Sequence, residues 1–240
     1  MDKKRILIII PAYNEEDNIL NTYNTIINYN RKFDTEFDVI VINDGSKDKT
    51  EQICIENHIP LISLVHNLGI GGAVQTGYKY AYKKNYDIAV QFDGDGQHDV
   101  RYVKAITDPI VNNLADFVVG SRFVKGSKSK FKSSASRRMG IKLISFTIKL
   151  VTGKKIYDTT SGFRACNKEL IKEFASKYPI EYPEPITNAE LLKKGYRVEE
   201  IPVEMNERVA GVSSIHSWKN IYYMINVLLS ILLVGLRRYK

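Results

Sequence analysis

Cysteine is almost absent from this 240-residue chain. Only Cys54 and Cys166 occur, neither in a CxxC pair nor at ligand spacing from a histidine. That scarcity excludes a disulfide framework, argues against a structural zinc site and points to a reducing cytoplasm. No glycine-, serine- and proline-rich linker divides the sequence, and no internal repeat or low-complexity segment is visible, so one large domain with a substantial core is expected. The opening Met1-Asp-Lys-Lys-Arg is followed only by Ile6 to Ile10. This apolar part is too short for a signal peptide and lacks a small-residue cleavage site, so it reads as a first strand. At the other end, Ile221 to Leu236 is sixteen residues broken only by Asn226 and Ser230, shorter than the roughly 20 residues a bilayer crossing requires. It can lie on a membrane, pack in a core or barely span.

What the chain does have is basic charge, 35 Lys and Arg against 27 Asp and Glu. Much of the excess sits in Lys125 to Arg138 and in Arg237, Arg238 and Lys240, and clustered charge of one sign suits an anionic partner. Apolar runs at Ile6 to Ile10, Val39 to Ile42, Leu61 to Val65 and Ile88 to Phe92 alternate with helical patterns, the signature of a parallel α/β sheet. Ile19, Leu20, Tyr23, Ile26 and Ile27 recur at helical spacing behind an acidic opening turn, which favours the helix dipole. A second helix is expected after Gly69-Ile-Gly-Gly72 and a third after Val100. Beyond it the spacing predicts a strand near Phe117 to Gly120, an apolar helix Ile141 to Val151 and a strand Val198 to Val203.

The most informative motif is Asp93-Gly94-Asp95. An apolar strand running into paired carboxylates and a glycine turn lets Asp93, Asp95 and Gln97 offer oxygen ligands to one hard cation, Mg²⁺ or Mn²⁺, against a diphosphate. A calcium EF-hand reading fails, because the sixth loop position is His98 and the twelfth Lys104. Pro11-Ala-Tyr-Asn-Glu15 and Asn43-Asp44-Gly45-Ser46 each end a strand, where open α/β sheets bind ligands. Asp44 there can accept hydrogen bonds from a base or ribose, with Tyr13 alongside, while Ser46 reads as a cap for a helix Lys47 to Glu56. The dinucleotide fingerprint is absent after Gly69, since Val74 stands where the third glycine belongs, and no Walker A spacing occurs. These glycines let a helix start close to bound nucleotide, or simply cap it.

Pro11-Ala-Tyr-Asn-Glu15, Asn43 to Asp48, Asn67 to Gly72, Asp93 to His98, Gly120-Ser-Arg122 and Thr160-Ser-Gly-Phe-Arg164 fall in the order and spacing of the family 2 glycosyltransferases. The chain resembles the branch containing dolichyl-phosphate mannosyltransferase and bacterial polysaccharide glycosyltransferases, from Ile6 to about Ser214. The resemblance implies a GT-A fold: a single Rossmann-like mixed, mainly parallel sheet flanked by helices, with residues 1–99 as the nucleotide-binding half, 100–214 as the acceptor half, and an apolar helix over 215–240. It implies an inverting, metal-dependent transfer from a nucleoside-diphosphate sugar. Carried over by position, Pro11, Tyr13, Glu15, Asp44, Gly72 and Asp93 hold the nucleotide, and Asp93, Asp95 and Gln97 hold the metal. Arg122 and Arg164 stand near sugar and acceptor, and Arg208, Ser213 and Ser214 reach the diphosphate or acceptor phosphate. Glu184 in Tyr182-Pro-Glu-Pro185 is the expected catalytic base for a hydroxyl acceptor, with Glu181 as runner-up. An acceptor that is itself a lipid phosphate needs no base.

Together with Tyr222, Tyr223 and the Arg237-Arg238 terminus, the basic loop Lys125 to Lys132 and the Ile141 to Val151 helix favour a peripheral enzyme on the cytoplasmic face of an anionic membrane. The acceptor expected is lipid-linked, in cell-surface polysaccharide assembly, or a polyprenyl phosphate. A homo-oligomer contact through the last helix is the alternative use of that segment. A nucleotidyltransferase is the rival enzyme class, but Pro11-Ala-Tyr-Asn-Glu is not its glycine- and arginine-rich loop. Nucleic-acid binding would account for the charge and nothing else.

Overall fold

A computed structural model describes residues 4–33, 35–127, 135–205 and 217–239. Seven strands form one sheet: β1 (Ile6–Ala12), β2 (Phe37–Asn43), β3 (Leu61–Ser63), β4 (Ile88–Gln91), β5 (Phe117–Ser121), β6 (Arg164–Asn167) and β7 (Val198–Pro202), in the order β3-β2-β1-β4-β6-β5-β7. The pairs β1–β2, β1–β4, β2–β3 and β5–β7 are parallel, whereas β6 runs antiparallel to both β4 and β5. Among the described residues eight helices occur: α1 (Ile19–Phe33), α2 (Thr50–Glu56), α3 (Gly69–Lys83), α4 (Arg101–Val111), α5 (Ala135–Thr152), α6 (Lys168–Ser176), α7 (Pro183–Lys193) and α8 (Ser217–Leu236). The mixed, mainly parallel sheet flanked by helices is the architecture expected from sequence.

Period-two alternation in β1 sets the two faces of the sheet. Ile8 and Ile10 enter one core, with Ile19 and Ile26 of α1 and Val103 and Ile106 of α4. Leu7 and Ile9 enter the other, with Val74 and Tyr78 of α3 and Leu170 and Phe174 of α6. Strands buried on both faces read as continuous aliphatic runs, which is why Ile6 to Ile10 shows no polar alternation. A third core lies away from the sheet: Ile144 and Ile148 of α5 and Ala189 and Leu192 of α7 enclose Val227, Ile231 and Val234 of α8. The apolar carboxyl-terminal segment therefore buries one stripe against α5 and α7. Among the described residues no helix is long and apolar enough to cross a membrane.

Close packing of α3 on the sheet depends on a missing side chain. A Cβ at Gly77 would collide with the Ile9 side chain, and Ile9 is fully buried with nowhere to move. Gly77→Ala should accordingly destabilise the protein by about 1–3 kcal/mol through overpacking, despite alanine's better helix propensity. Urea unfolding would read this as a lower midpoint at an unchanged slope; a midpoint equal to or above that of the parent would contradict the packing.

Candidate active site

The carboxyl ends of β1, β2 and β4 deliver their loops to one rim of the sheet. Asn14 takes a left-handed conformation, φ 55°. Its backbone N–H donates to Ser46 Oγ at 3.0 Å, and its Oδ1 accepts from the Lys47 N–H at 2.8 Å. The Ser46 N–H donates in turn to Asn43 Oδ1 at 3.1 Å, so the first two loops are laced together. Ser46 does not cap the following helix as expected. That helix opens at Thr50, whose N–H donates to Asp48 Oδ1 at 3.0 Å, because the Ser46 hydroxyl is already engaged by Asn14. Glu15 fixes the approach to α1: its N–H donates to Thr50 Oγ1 at 2.8 Å, and its Oε2 accepts from Asn18 Nδ2 at 2.9 Å.

Asp44 is buried at the end of β2, and its Oδ1 accepts the Leu68 N–H at 2.7 Å. Burial pushes its carboxyl above the ordinary aspartate range, against hydrogen bonds from the Leu68 and Gly69 amides. The turn before α3 is thereby tied to β2, and Gly69 takes φ 76° within it. Gly71 and Gly72 answer a packing need. A Cβ on Gly71 would strike the Pro179 and Ile180 carbonyls, and one on Gly72 would meet Leu68 Cβ at 2.5 Å. Gly69 borders the cavity described below; Gly72 does not.

After β4, Asp93 and Asp95 turn into a cavity of about 560 Å³ also lined by Pro11, Tyr13, Glu15, Asp44, Asn67, Ile70, Thr160, Gly162 and Glu184. Asp95 accepts the Gln97 N–H at 3.1 Å; the Gln97 side chain is not among the lining groups. Asp93 Oδ2 lies 3.1 Å from His98 Nε2, and the His98 ring stacks on Phe163 at 4.9 Å and meets the Phe92 edge. Burial would raise the Asp93 carboxyl, yet His98, the Gln91 amide and the Arg164 guanidinium together hold it below the ordinary aspartate range. A Cβ on Gly162 would sit 2.5 Å from Asp93 Oδ2, so only glycine leaves that carboxylate its place.

Asp93 keeps a third of its side chain exposed, and with Asp95 it presents oxygen to a cavity of diphosphate size. Among the described residues no three His, Cys, Asp or Glu side chains converge into a protein-only metal cage. Two carboxylates completed by diphosphate oxygens and water are how Mg²⁺ and its relatives are commonly held, so these residues fit such an ion.

The two arginines differ in what they do. Arg122 forms a fork with the buried Asp158, Nε to Oδ2 and Nη2 to Oδ1 both at 2.7 Å, and Nη2 also donates to Thr160 Oγ1 at 3.0 Å. Glu200 accepts the Tyr157 and Asp158 N–H groups at 2.7 and 2.8 Å from the other side. Arg122 thus holds the 157–160 loop rather than lining the cavity. Arg164 is fully buried in β6. Its Nε donates to the Ser161 carbonyl at 2.9 Å, and its Nη atoms lie 3.4 and 3.5 Å from the Glu184 carbonyl. Glu184 follows Tyr182, left-handed at φ 52°, and Pro183 at the start of α7. Burial pushes its carboxyl up, and the Arg164 charge offsets part of that shift. Glu181 is exposed on the surface, and Glu190 instead pairs with Arg237 beyond α8. Arg208, Ser213 and Ser214 lie outside the described residues.

Sequence reasoning did not single out His98, Asn67, Thr160 or Gly162 as site groups, although all four stand in quoted motifs. Nothing local in the sequence says that the segment before β6 turns back against Asp93.

Residues 7–174 match the family model Glycosyl transferase family 2, and the chain belongs to that family of glycosyltransferases. It is 34% identical over 223 residues to the UDP-N-acetylglucosamine–dolichyl-phosphate N-acetylglucosaminyltransferase of Methanococcus voltae, covering 85% of this chain and 86% of that one. It is 28% identical over 222 residues to the undecaprenyl-phosphate mannosyltransferase of Micrococcus luteus, covering 87% and 86%. Among solved structures it resembles glucosyl-3-phosphoglycerate synthase of Mycobacterium tuberculosis, crystallised with Mn²⁺, UDP and phosphoglyceric acid. The TM-score is 0.68 at 17% identity, over 99% of this chain and 80% of that one. The fold is GT-A.

Because burial raises the folded-state pKa of Glu184 above its unfolded value, this group adds stability when protonated and removes it as pH rises through the folded value. Glu184→Gln should therefore raise the Tm at pH 7.5, with the gain vanishing below the ordinary glutamate value of 4.5. Calorimetry across that window checks the sign; an equal or lower Tm at pH 7.5 would show that the carboxylate is net stabilising there.

Proposed function

We propose that the protein transfers a sugar, with inversion, from a nucleoside-diphosphate sugar to the phosphate of a polyprenyl phosphate at the cytoplasmic face of a membrane. The observation that supports this most is the convergence of Asp44, Asp93, Asp95 and Glu184 on one cavity at the carboxyl rim of the sheet. The relatives named for dolichyl- and undecaprenyl-phosphate acceptors favour a lipid phosphate over a sugar hydroxyl, and such glycosyl lipids would feed cell-surface polysaccharide assembly.

In this reading Asp44 and Tyr13 receive the nucleoside, while Asp93 and Asp95 face the diphosphate. A divalent cation, Mg²⁺ or Mn²⁺, would neutralise charge on the departing nucleoside diphosphate. The acceptor oxygen bonds to the anomeric carbon as the bond to the diphosphate oxygen breaks, and the leaving group takes the electron pair. A phosphate acceptor is already an anion, so no proton has to be removed at the attacking atom. Glu184 then positions sugar hydroxyls, with Arg164 organising the backbone beneath it. Arg122 supports the acceptor side through the 157–160 loop.

Membrane contact rests on the outer faces of two helices. Met139, Leu143, Phe146 and Leu150 form an exposed stripe on α5, and Tyr222, Ile225, Leu229, Leu233 and Leu236 form one on α8. Both repeat at helical spacing and carry no acid, as expected of interfacial helices.

Asp95→Ala should abolish transfer and Mn²⁺-dependent nucleotide binding while leaving circular dichroism unchanged. Asp44→Ala should raise the donor KM by about tenfold or more with little change in kcat, since nucleoside contacts differ little between ground and transition states. Near-normal turnover of the first variant, or an unchanged donor KM in the second, would refute these assignments. A further test separates the acceptor classes. With polyprenyl phosphate as acceptor, Glu184→Gln should lose less than about tenfold in kcat, whereas removal of a true general base loses about 10²–10⁴.

A further inference from the structure

A second cavity, of about 540 Å³, opens beside α5, and none of its described lining residues is shared with the donor cavity. Among the described residues four cations border it, Arg138, Lys142, Lys149 and Lys155, and no carboxylate does. None of the four is paired with an acid among the described residues, and Lys155 Nζ instead lies 4.3 Å over the Tyr157 ring. Its lining also includes the buried Ile141 and the exposed Phe146. Into this lining is set Ser145, only 3% exposed, with a buried hydroxyl that has no hydrogen-bond partner among the described residues. A buried hydroxyl without a partner is costly, and one beside four unopposed cations and an apolar wall matches a ligand with an anionic oxygen-rich head and a hydrocarbon body.

We propose that this cavity binds the phosphate headgroup of an anionic phospholipid, with its acyl chains along the exposed Leu143, Phe146 and Leu150 stripe. The inference deepens the membrane reading above and rests on it. The wall between the two cavities argues against the glycosyl acceptor as the occupant. Phe123 and Tyr157 line this cavity, and their chain neighbours Arg122 and Asp158 are buried and locked to each other and to Thr160, which lines the donor side. A phosphate seated here is separated from the donor by that ion pair. Cationic side chains and a hydroxyl converging on a phosphate give charge-assisted hydrogen bonds as well as diffuse attraction, so recognition should depend on the cavity and not on net charge alone.

The intact protein is tested by co-sedimentation with phosphatidylcholine vesicles containing or lacking phosphatidylglycerol. Three variants keep the two explanations apart: Ser145→Leu, which fills the cavity without changing charge; Lys142→Glu with Lys149→Glu; and Lys83→Glu with Lys84→Glu, the same charge change at exposed lysines at the end of α3. Binding to the anionic vesicles is expected to fall about tenfold or more for the first two and by less than threefold for the third, with Tm recorded for each. Ser145→Ala, which keeps the space open but removes the hydroxyl, guards against a folding defect and should bind more weakly than the parent yet severalfold more tightly than Ser145→Leu. Equal losses for both charge reversals with none for Ser145→Leu would reduce the effect to diffuse electrostatics and overturn the proposal. So would a Tm rise with inorganic phosphate alone that Ser145→Leu removes, or a raised polyprenyl-phosphate KM in Ser145→Leu with vesicle binding intact. Calorimetric binding of UDP with Mn²⁺ should be the same in all variants; its absence from the parent would sink the donor assignment while leaving the lipid result to stand by itself.

Discussion

The antiparallel insertion of β6 between β4 and β5 brings the Thr160–Arg164 segment back to the end of the sheet where Asp93 emerges. In register, Arg164 sits opposite Gln91, the last residue of β4, so the turn before it must pass within van der Waals distance of the Asp93 carboxylate. That approach is possible because position 162 has no side chain. Phe163, one residue on, supplies the surface on which His98 stacks, and His98 in turn faces Asp93. One reversal of strand direction therefore sets the orientation of the first carboxylate, the position of its imidazole neighbour and the burial of the arginine below.

Charge in this half of the molecule is arranged so that neighbouring carboxylates are driven apart. Asp93 is held ionised by His98 and Arg164, while Glu184, served by the same Arg164, is pushed toward its neutral form by burial. Arg164 donates to carbonyls of Ser161 and Glu184 and lies 5.4 Å over the Phe117 ring, so its charge is shared among dipoles rather than cancelled by one acid. Arg122 shows the opposite solution, a fork closed on Asp158. Removing one partner of such a pair leaves an uncompensated buried charge, which typically costs about 3–5 kcal/mol. The first arrangement leaves positive potential beside the cavity that Asp93 faces; the second gives a loop braced by a closed ion pair.

Strands with continuous aliphatic sequence were readable because burial on both faces leaves nothing else for them to be: β1, β2 and β4 appear where Ile6 to Ile10, Val39 to Ile42 and Ile88 to Phe92 predict them. β6 was not readable. Arg164-Ala-Cys-Asn is four residues long and opens with an arginine that is fully buried, and a short pattern led by a charged residue carries no strand signal. For the same reason α6, which follows it directly, had no anchor in the sequence. Pro11, Tyr13, Glu15, Asp44, Asp93 and Asp95, expected from sequence on the nucleotide side, share one cavity because each ends or follows a parallel strand, a relation that periodicity reveals. Arg122, Gly72 and the Gln97 side chain fall outside that cavity; for Arg122 the cause is an ion-pair partner thirty-six residues away, a tertiary fact with no local pattern.

α7 joins the polar and apolar sides of the molecule. Its amino-terminal turn carries Glu184 into the cavity it shares with Asp93 and Asp95, and two turns later Ala189 and Leu192 enter the core shared by α5 and α8. Glu190 on the same helix binds Arg237 at 2.9 Å beyond the end of α8, and Tyr182, immediately before the helix, meets Tyr223 of α8 edge to face at 4.8 Å. Close-packed interiors do not deform continuously, so the position of α8 and the entry angle of α7 are set together. A surface that seats α5 and α8 thereby fixes the frame on which Glu184 stands. The apolar helix α8 is in this sense part of the support of the Asp93–Glu184 cavity, although none of its described residues lines it.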